Sequence, residues 1–260
     1  KKGGKALDKN RVLYNGDISK TVSGKTCQRW DKQDPNKHSY SGRPNHGGGY
    51  FGSTKHKYID QEINAIKNIP NDGDLDKVLD IIFENVHKKN GKVIVSGMGK
   101  AGHIGMNIST TLSSTGTPSA FIHPSEAQHG DLGLIQKNDV LLLISNSGKT
   151  REILEFNLLA NKLFNGIPLI SLTGNNESPL AKVSNECLFT GNPKEICPLG
   201  LTPTTSTTVM TVVGDLLVIG MMNSILLCLE TEEDLDDESR VALMNIVLTN
   251  LIIFSKYQVS

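Results

Sequence analysis

The stretch Val140-Leu-Leu-Leu-Ile-Ser-Asn-Ser-Gly-Lys-Thr150 carries the strongest structural signal in the chain. Its first five residues form a short apolar run, as expected of a strand that is buried on both faces. A turn rich in Ser and Gly follows, and the pattern becomes helical from about Arg151. A strand that leads through a turn into a helix is the building unit of a parallel α/β sheet. Such sheets bind ligands at the edge where the strands end.

Further apolar runs alternate with helical segments on both sides of this stretch. Two helical stripes come first, one ending at Pro70 and the other at Asn90-Gly91. The other strand-like runs lie at 93–95, 120–122, 167–172 and 187–189. This alternation predicts an α/β fold with a five-stranded, parallel, doubly wound, Rossmann-like sheet that is flanked by helices.

Charge divides the chain into stretches of different character. The 260 residues include 27 Lys/Arg and 27 Asp/Glu, and this neutral total argues against a dedicated nucleic-acid binder. Residues 1–57 carry a net charge of +9 and the remainder −9. We therefore predict a mostly irregular segment at 1–55, an α/β domain at 56–225 and a divergent C-terminal tail at 226–260.

The cysteines and the apolar stretches indicate where the protein resides. Cys27, Cys187, Cys197 and Cys228 have neither the spacing of a disulfide framework nor that of zinc-ligand pairs, which favours a reduced, cytoplasmic protein. We interpret Cys197 as a packed small residue. The apolar stretch Val209 to Leu229 contains Asp215, so we predict a buried core helix and no membrane association.

Two Gly-containing turns are candidates for anion binding. Gly97-Met-Gly-Lys-Ala-Gly102 matches the spacing of a dinucleotide fingerprint, but the next strand ends at His123 without the carboxylate that would hold a ribose. Gly148-Lys-Thr150 matches the end of a Walker A loop, but position 143 is Leu and not Gly. The hydroxyls and amides of the turn after Ile144 suit a phosphomonoester. The alternative is a plain helix N-cap.

The N-terminal segment contains a separate signal. The stretch from Tyr14 to Trp30, with Asp34-Pro-Asn-Lys-His38 after it, resembles the first half of a kringle domain, within residues 10–38. Kringles are secreted, so this piece is the argument for secretion. Only Cys27 of the six kringle cysteines is present, and so small a domain needs its disulfides. We therefore expect a poorly packed fragment and retain the cytoplasmic assignment.

Four motifs in order resemble a known family, the arabinose-5-phosphate isomerases of the sugar isomerase (SIS) domain class. They are Gly97 to Gly105, Ser114 to Ser119, His123 to Gly133 and Glu195 to Thr204, and the SNSG turn lies among them. The resemblance covers residues 58–222. It identifies residues 56–225 as a SIS phosphosugar isomerase domain.

The resemblance implies an aldose–ketose isomerase that interconverts arabinose 5-phosphate and ribulose 5-phosphate through an enediol, with no metal or redox cofactor. It implies acid–base and electrostatic roles for a set of catalytic residues: Lys100, Glu152, Glu195 and His129. It implies that the sugar phosphate is held by Gly99, Ser145, Asn146, Ser147, Gly148, Thr150, His123 and Glu126. His123 is also the position at which family members take an inhibitory zinc ion.

Departures from the family leave a second interpretation open. The family follows its last helix with a His-Pro-Gly-Gly segment whose His completes the site, whereas this chain has no His after His129. A non-catalytic phosphosugar-binding or regulatory module is therefore the alternative, and a truncated or fused product without selected activity is a third possibility. The Glu usual after SNSG is Lys149 here, which adds positive charge beside the turn.

The partners implied are a small-molecule sugar phosphate and a second copy of the chain, as a homodimer or homotetramer, with neither nucleic acid nor membrane. The exact pentose or hexose phosphate is not determined by these residues.

Overall fold

The structure, a computed structural model, describes residues 50–71, 74–197 and 199–231, together with Val241 and Met244. The strands are β1 Val93–Gly97, β2 Ser119–Phe121, β3 Val140–Ile144, β4 Leu169–Thr173 and β5 Glu186–Phe189. The helices are α1 Tyr50–Lys67, α2 Asp74–Ile82, α3 Lys100–Ser114, α4 Pro124–Ala127, α5 Arg151–Leu163, α6 Pro179–Val183 and α7 Thr205–Thr231. A π-helical turn, Phe83–His87, follows α2, and a 3₁₀ turn, Asp131–Leu134, follows α4.

The five strands form one parallel sheet in the order β2-β1-β3-β4-β5. This confirms the predicted α/β fold class and its five-stranded parallel sheet. The chain moves outward from β1 to β2, and then returns to place β3 on the other side of β1. The C-terminal ends of β1 and β3 therefore border the crevice at which the strand order reverses. In doubly wound sheets this crevice is the usual ligand site.

The alternation of side chains along each strand divides the core between the two faces of the sheet. In β3, Leu142 and Ile144 pack on the face that carries α2, α3 and α7, whereas Leu141 and Leu143 pack on the face of α5. All five residues of β3 are buried, because helices cover both faces and the period of a strand is two. This explains why the sequence shows a continuous apolar run there.

A buried carboxylate holds β1 and β3 together at the opposite end from the crevice. Asp139 is fully buried and accepts hydrogen bonds from the backbone N–H groups of Lys92 and Gln136 at 2.9 and 2.7 Å. The Lys92 ammonium lies 2.8 Å from the same carboxylate. These contacts place the starts of β1 and β3 side by side. Gly97 then pairs in register with Ile144 at the crevice.

Two elements extend beyond their predicted bounds. Helix α1 begins at Tyr50, before the apolar stripe that starts at Tyr58, because helical hydrogen bonding propagates past an apolar face. Helix α7 continues to Thr231, across the predicted boundary after residue 225. The division into three parts stays a prediction. The kringle-like segment and most of the acidic and apolar tail lie outside the described residues.

Helix α7 is apolar on all sides, and its two faces have different surroundings. One face packs into the core with Val209, Met210, Val213, Leu217, Val218, Met221 and Ile225. The other face exposes Leu216, Ile219, Met222, Leu226 and Leu227. The segment Thr205–Leu229 is long and apolar enough to cross a membrane by length and composition, a test that core helices also pass. The buried face agrees with the predicted core helix, and the apolar outer face was not foreseen.

His87 makes stability depend on pH. It is buried, with Nε2 3.3 Å from Oγ1 of Thr117, and burial lowers the pKa of His87 from 6.5 to about 4. The unfolded chain therefore binds a proton between these pH values that the folded protein does not bind. The contribution of His87 to stability is complete above the unfolded pKa and declines as the pH falls from about 6.5 to 4. At pH 5 the loss is about 2 kcal/mol.

Urea unfolding at pH 7.5 and pH 5.0, for the native protein and for His87→Gln, checks this prediction. Glutamine has no group that titrates in this pH range, but it retains a polar amide near Thr117. We expect the variant to lose less stability on acidification, by about 2 kcal/mol. Equal losses in the two proteins would show that His87 does not titrate as its burial requires.

Candidate functional site

The crevice between β1 and β3 is bordered by two turns and two helix N-termini. Gly97 pairs with Ile144 at the ends of the strands, so the turn into α3 and the Ser145–Thr150 loop leave the sheet side by side. Helices α3 and α5 begin directly after these turns. Their first N–H groups and the positive ends of their dipoles face the same edge, an arrangement that favours an anion.

The loop Ser145–Thr150, here called the phosphate loop, is held closed by its own hydroxyl groups. Ser145 is buried, and its Oγ lies 2.7 Å from Oγ1 of Thr150 and accepts a hydrogen bond from the N–H of Gly148 at 3.1 Å. The exposed Ser147 accepts from the N–H of Lys149 at 3.2 Å. Ser145 and Thr150 thus shape the loop. Asn146 and Ser147 are the residues of this loop that are exposed to solvent, together with Lys149.

A second loop, which sequence reasoning did not identify, supports the phosphate loop from behind. Thr173 Oγ1 and the N–H of Gly174 both donate to the carbonyl oxygen of Asn146, at 3.2 and 3.0 Å. The N–H of Leu180 donates to the carbonyl of Gly148 at 3.1 Å. These contacts follow β4, the neighbour of β3 in the sheet. They fix the position of the loop relative to the crevice.

Position 148 of the phosphate loop requires glycine. Its φ is +60°, a region that side chains with a Cβ rarely occupy. A Cβ at this position would lie 1.9 Å from Oγ of Ser178 and 2.3 Å from its Cβ. The loop therefore packs against the start of α6 with no room for a methyl group.

Lys100 opens α3 beside this loop. It follows Gly99, which takes a φ of +58° as the N-cap residue, and its side chain is exposed. A Cβ on Gly102 would lie 2.5 Å from the carbonyl oxygen of Gly97, so the turn needs its glycines for close packing. The glycine pattern thus brings the first turn of α3 close to β1. Lys100 therefore places a positive charge at the edge of the crevice.

Glu152 lies in the first turn of α5, two residues after the phosphate loop ends. It is partly buried, and the next residue, Ile153, packs fully into the core. Lys100 and Glu152 therefore begin the two helices that flank the crevice. The structure brings both to the same edge of the sheet as the phosphate loop.

The segment from His123 to Gly130 follows the edge strand β2 and packs on α5. His123 is the N-cap residue of α4, and its Nδ1 accepts a hydrogen bond from the N–H of Ser125 at 3.3 Å. Glu126 and His129 are exposed. Within the described ranges no group of three or more His, Cys, Asp or Glu side chains has the geometry of a metal site, and this includes the surroundings of His123.

Glu195 anchors the start of α7. Its carboxylate accepts bonds from the N–H and hydroxyl of Thr204, at 2.7 and 3.0 Å, and from the N–H and hydroxyl of Ser206. Burial alone would raise the pKa of Glu195, but the bonds from Ser206 and Thr204 outweigh it and hold this pKa below the ordinary value. The loop that contains Glu195 leaves the sheet after β5, which β4 separates from β3. Glu195 is thus further along the sheet from the crevice than Glu152.

The surroundings of Cys197 are more polar than the sequence indicated. Its thiol is partly exposed, and hydrogen bonds from the side chain of Thr202 and from the backbone of Thr202, Leu201 and Leu199 lower the pKa of Cys197 to about 6. Interpreting it as a packed small residue was therefore incomplete. The Gly200 turn, which folds the following residues back on the sulfur, was the available sequence signal.

Curated relatives match between half and two thirds of this chain. An arabinose 5-phosphate isomerase KdsD from Pseudomonas aeruginosa is 54% identical over 134 residues, which are 52% of this chain and 40% of that protein. The protein of the same name from Francisella tularensis is 46% identical over 165 residues, 63% of this chain and 50% of that protein. The chain thus spans about half the length of the curated relatives it matches.

Solved structures extend the comparison over more of the fold. A putative phosphosugar isomerase involved in capsule formation from Bacteroides fragilis is 52% identical and superposes with a TM-score of 0.66. The match covers 74% of this chain and 95% of the Bacteroides fragilis chain. The E. coli CFT073 protein c3406, solved in complex with arabinose 5-phosphate, is 34% identical, covers 66% of this chain and 89% of its own, and has a TM-score of 0.61.

The family model of the SIS domain matches residues 86–220, about half of the chain. This range contains the sheet, the phosphate loop and both helix N-termini at the crevice. Because the match covers half of the chain, the chain belongs to the SIS domain family.

Proposed function

We propose that the protein is a phosphosugar isomerase that interconverts arabinose 5-phosphate and ribulose 5-phosphate. The observation that carries the proposal is the placement of Lys100, Glu152 and the phosphate loop at one crevice, at the N-termini of α3 and α5. Relatives named arabinose 5-phosphate isomerase, and the related E. coli protein solved with arabinose 5-phosphate, support this pentose phosphate as the substrate.

In the proposed complex the phosphate loop receives the phosphate. The exposed Ser147 hydroxyl and Asn146 lie at the mouth of the loop, and the N–H groups at the start of α5 are oriented towards a bound anion. Ser145 and Thr150 keep the loop closed through their mutual hydrogen bond. The carbonyl end of the open-chain sugar then extends along the crevice towards Lys100.

Isomerisation then requires one proton to move between two carbons. A base removes the proton from C2 of the aldose, and the C2–H electrons form the C1–C2 double bond while the C1 oxygen takes up a proton. The resulting enediol loses the proton of its C2 hydroxyl, and C1 accepts a proton to give the ketose. We assign the carbon proton transfer to Glu152 and stabilisation of the developing oxyanion to Lys100.

The remaining members of the set take supporting roles in the proposal. His129, exposed on the segment that packs on α5, is the candidate for opening the sugar ring, and His123 and Glu126 contact the sugar. The lowered pKa of Glu195 keeps its carboxylate ionised, which suits it to act as a fixed negative charge rather than to donate a proton at neutral pH.

We further propose that the chain associates with a second copy. The outer face of α7 exposes a row of large apolar side chains that includes Leu216, Ile219 and Leu227, and an apolar area of this kind favours an interface. Light scattering of the purified protein distinguishes a monomer from a dimer or tetramer.

The test of the proposed function is conversion of ribulose 5-phosphate by the purified protein, followed by NMR of the sugar. We expect arabinose 5-phosphate to appear, and Lys100→Ala purified in the same way to form at least about 100-fold less in the same time. Equal conversion by the variant would point to a contaminating isomerase. No conversion, in a protein whose Tm rises with arabinose 5-phosphate, would leave a phosphosugar-binding module instead.

A further inference from the structure

A cluster of three polar side chains connects α4 to α5 outside the crevice. Glu155 on α5 accepts hydrogen bonds on both carboxylate oxygens, from Nε of Arg151 at 2.7 Å and from Nε2 of Gln128 at 3.1 Å. The hydrogen bond from Arg151 holds the pKa of Glu155 below its ordinary value, so the carboxylate is ionised and both oxygens are acceptors. Gln128 directly follows α4.

The positions of these residues link two parts of the proposed site. Glu155 lies one helical turn after Glu152, and residues three apart share a face of a helix. Gln128 directly precedes His129 in the chain. The hydrogen bond between Gln128 and Glu155 therefore attaches the His129 segment to the same face of α5 that carries Glu152.

Apolar packing anchors the segment before and after its exposed part. Helix α4 is four residues long, and within it Pro124 and Ala127 are buried. Ala127 joins Ile153 and Phe156 in the core, and Ile122 and Ile135, on either side of the segment, are buried in the same cluster. Glu126 and His129, on the outer side, are exposed. Between these apolar anchors the contact of Gln128 with Glu155 adds a polar restraint on the exposed part of the segment.

We propose that Glu155 is a positioning residue, which holds Gln128 and thereby keeps the His129 segment against the face of α5 that carries Glu152. The inference rests on the proposed isomerase function for its kinetic consequence, but the position of His129 is independent of that function. Arg151 orients the carboxylate of Glu155 and makes no contact with Gln128 among those described.

Steady-state kinetics with Gln128→Ala, Glu155→Ala and the double variant test the proposal. We expect each single change to lower kcat about threefold to tenfold with KM within about twofold, because neither residue belongs to the phosphate loop and the contact that both changes remove is the one to the His129 segment. The double variant should be no slower than the slower single variant. Glu155→Gln, which retains an acceptor for Gln128, should stay close to the native rate.

The NMR signals of the His129 ring in the free protein provide a second test, which does not depend on isomerase activity. His129→Gln identifies the signal. We expect Gln128→Ala and Glu155→Ala to move it towards the shift of an unstructured histidine, while Lys182→Ala, a matched exposed change on α6, leaves it in place. Unchanged His129 signals, or additive losses of kcat in the double variant, would overturn the proposal. Moved signals in a protein without isomerase activity would uphold it and refute the enzyme assignment.

Discussion

Replacing Glu152 with glutamine is expected to lower kcat by about 10²–10⁴-fold, because an amide of nearly the same shape cannot take the proton from the sugar carbon. KM for arabinose 5-phosphate should change less than about threefold, since the phosphate loop ends before Glu152 and keeps its own hydrogen bonds. Initial rates of ketose formation across a range of substrate concentrations separate the two parameters.

A surface change of the same chemistry provides the control for Glu152→Gln. The exposed Glu84 forms an ion pair with the partly buried Lys88 after α2, away from the crevice, so Glu84→Gln should keep the native kcat. A Glu152→Gln variant that retained more than about a tenth of the native kcat would exclude Glu152 as the base. The proton transfer would then have to be assigned to another member of the set, with His129 tested next.

Replacing Gly148 with alanine is expected to abolish tight binding of the phosphosugar. The new methyl group would lie 1.9 Å from Oγ of Ser178, and the φ of +60° adds strain of its own. The loop must shift, and losing one or two charge-assisted hydrogen bonds to the phosphate weakens binding about 100-fold or more. Calorimetric titration with arabinose 5-phosphate measures the change.

Two further variants separate the clash from the strain. Gly166 has a φ of +76° with open space around it, so Gly166→Ala should lose about 1 kcal/mol of stability and keep the native affinity. Adding Ser178→Gly to Gly148→Ala removes the two side-chain atoms that the methyl group meets first, and should recover part of the affinity. Native affinity in Gly148→Ala itself would show that the loop is not the phosphate site.

The sequence predicted the sheet well because the fold depends on local, repeated patterns. The run Val140–Ile144 coincides with β3, and the other strands begin or end within two residues of their predicted runs. The three central strands, β1, β3 and β4, are buried on both faces, so a continuous apolar run is enough to identify them, whereas the edge strands β2 and β5 are partly exposed. The edge of the sheet that carries the phosphate loop was also accessible to sequence reasoning, whereas Lys100 and Glu152 were identified through the family resemblance.

Contacts between residues that are distant in the chain were not accessible to the same reasoning. Glu195 was identified as a candidate acid or base, but its bonds to Thr204 and Ser206 require a loop that returns to the start of α7. The lowered pKa of Cys197 arises from the same fold of the loop. No periodic pattern encodes where a loop returns, because its path is decided by hydrogen bonds and packing and not by a repeating face.

The sequence by itself determined the fold class, the sheet edge at which a ligand binds and the family, because these depend on apolar runs and on motifs that are contiguous in the chain. Only the tertiary structure decided which groups support the site. The contact between Gly148 and Ser178 and the bond between Gln128 and Glu155 join residues 30 and 27 positions apart. Such pairs meet only after the parallel strands have aligned their helices and loops at one edge of the sheet. Their geometry is therefore a consequence of the assembled fold.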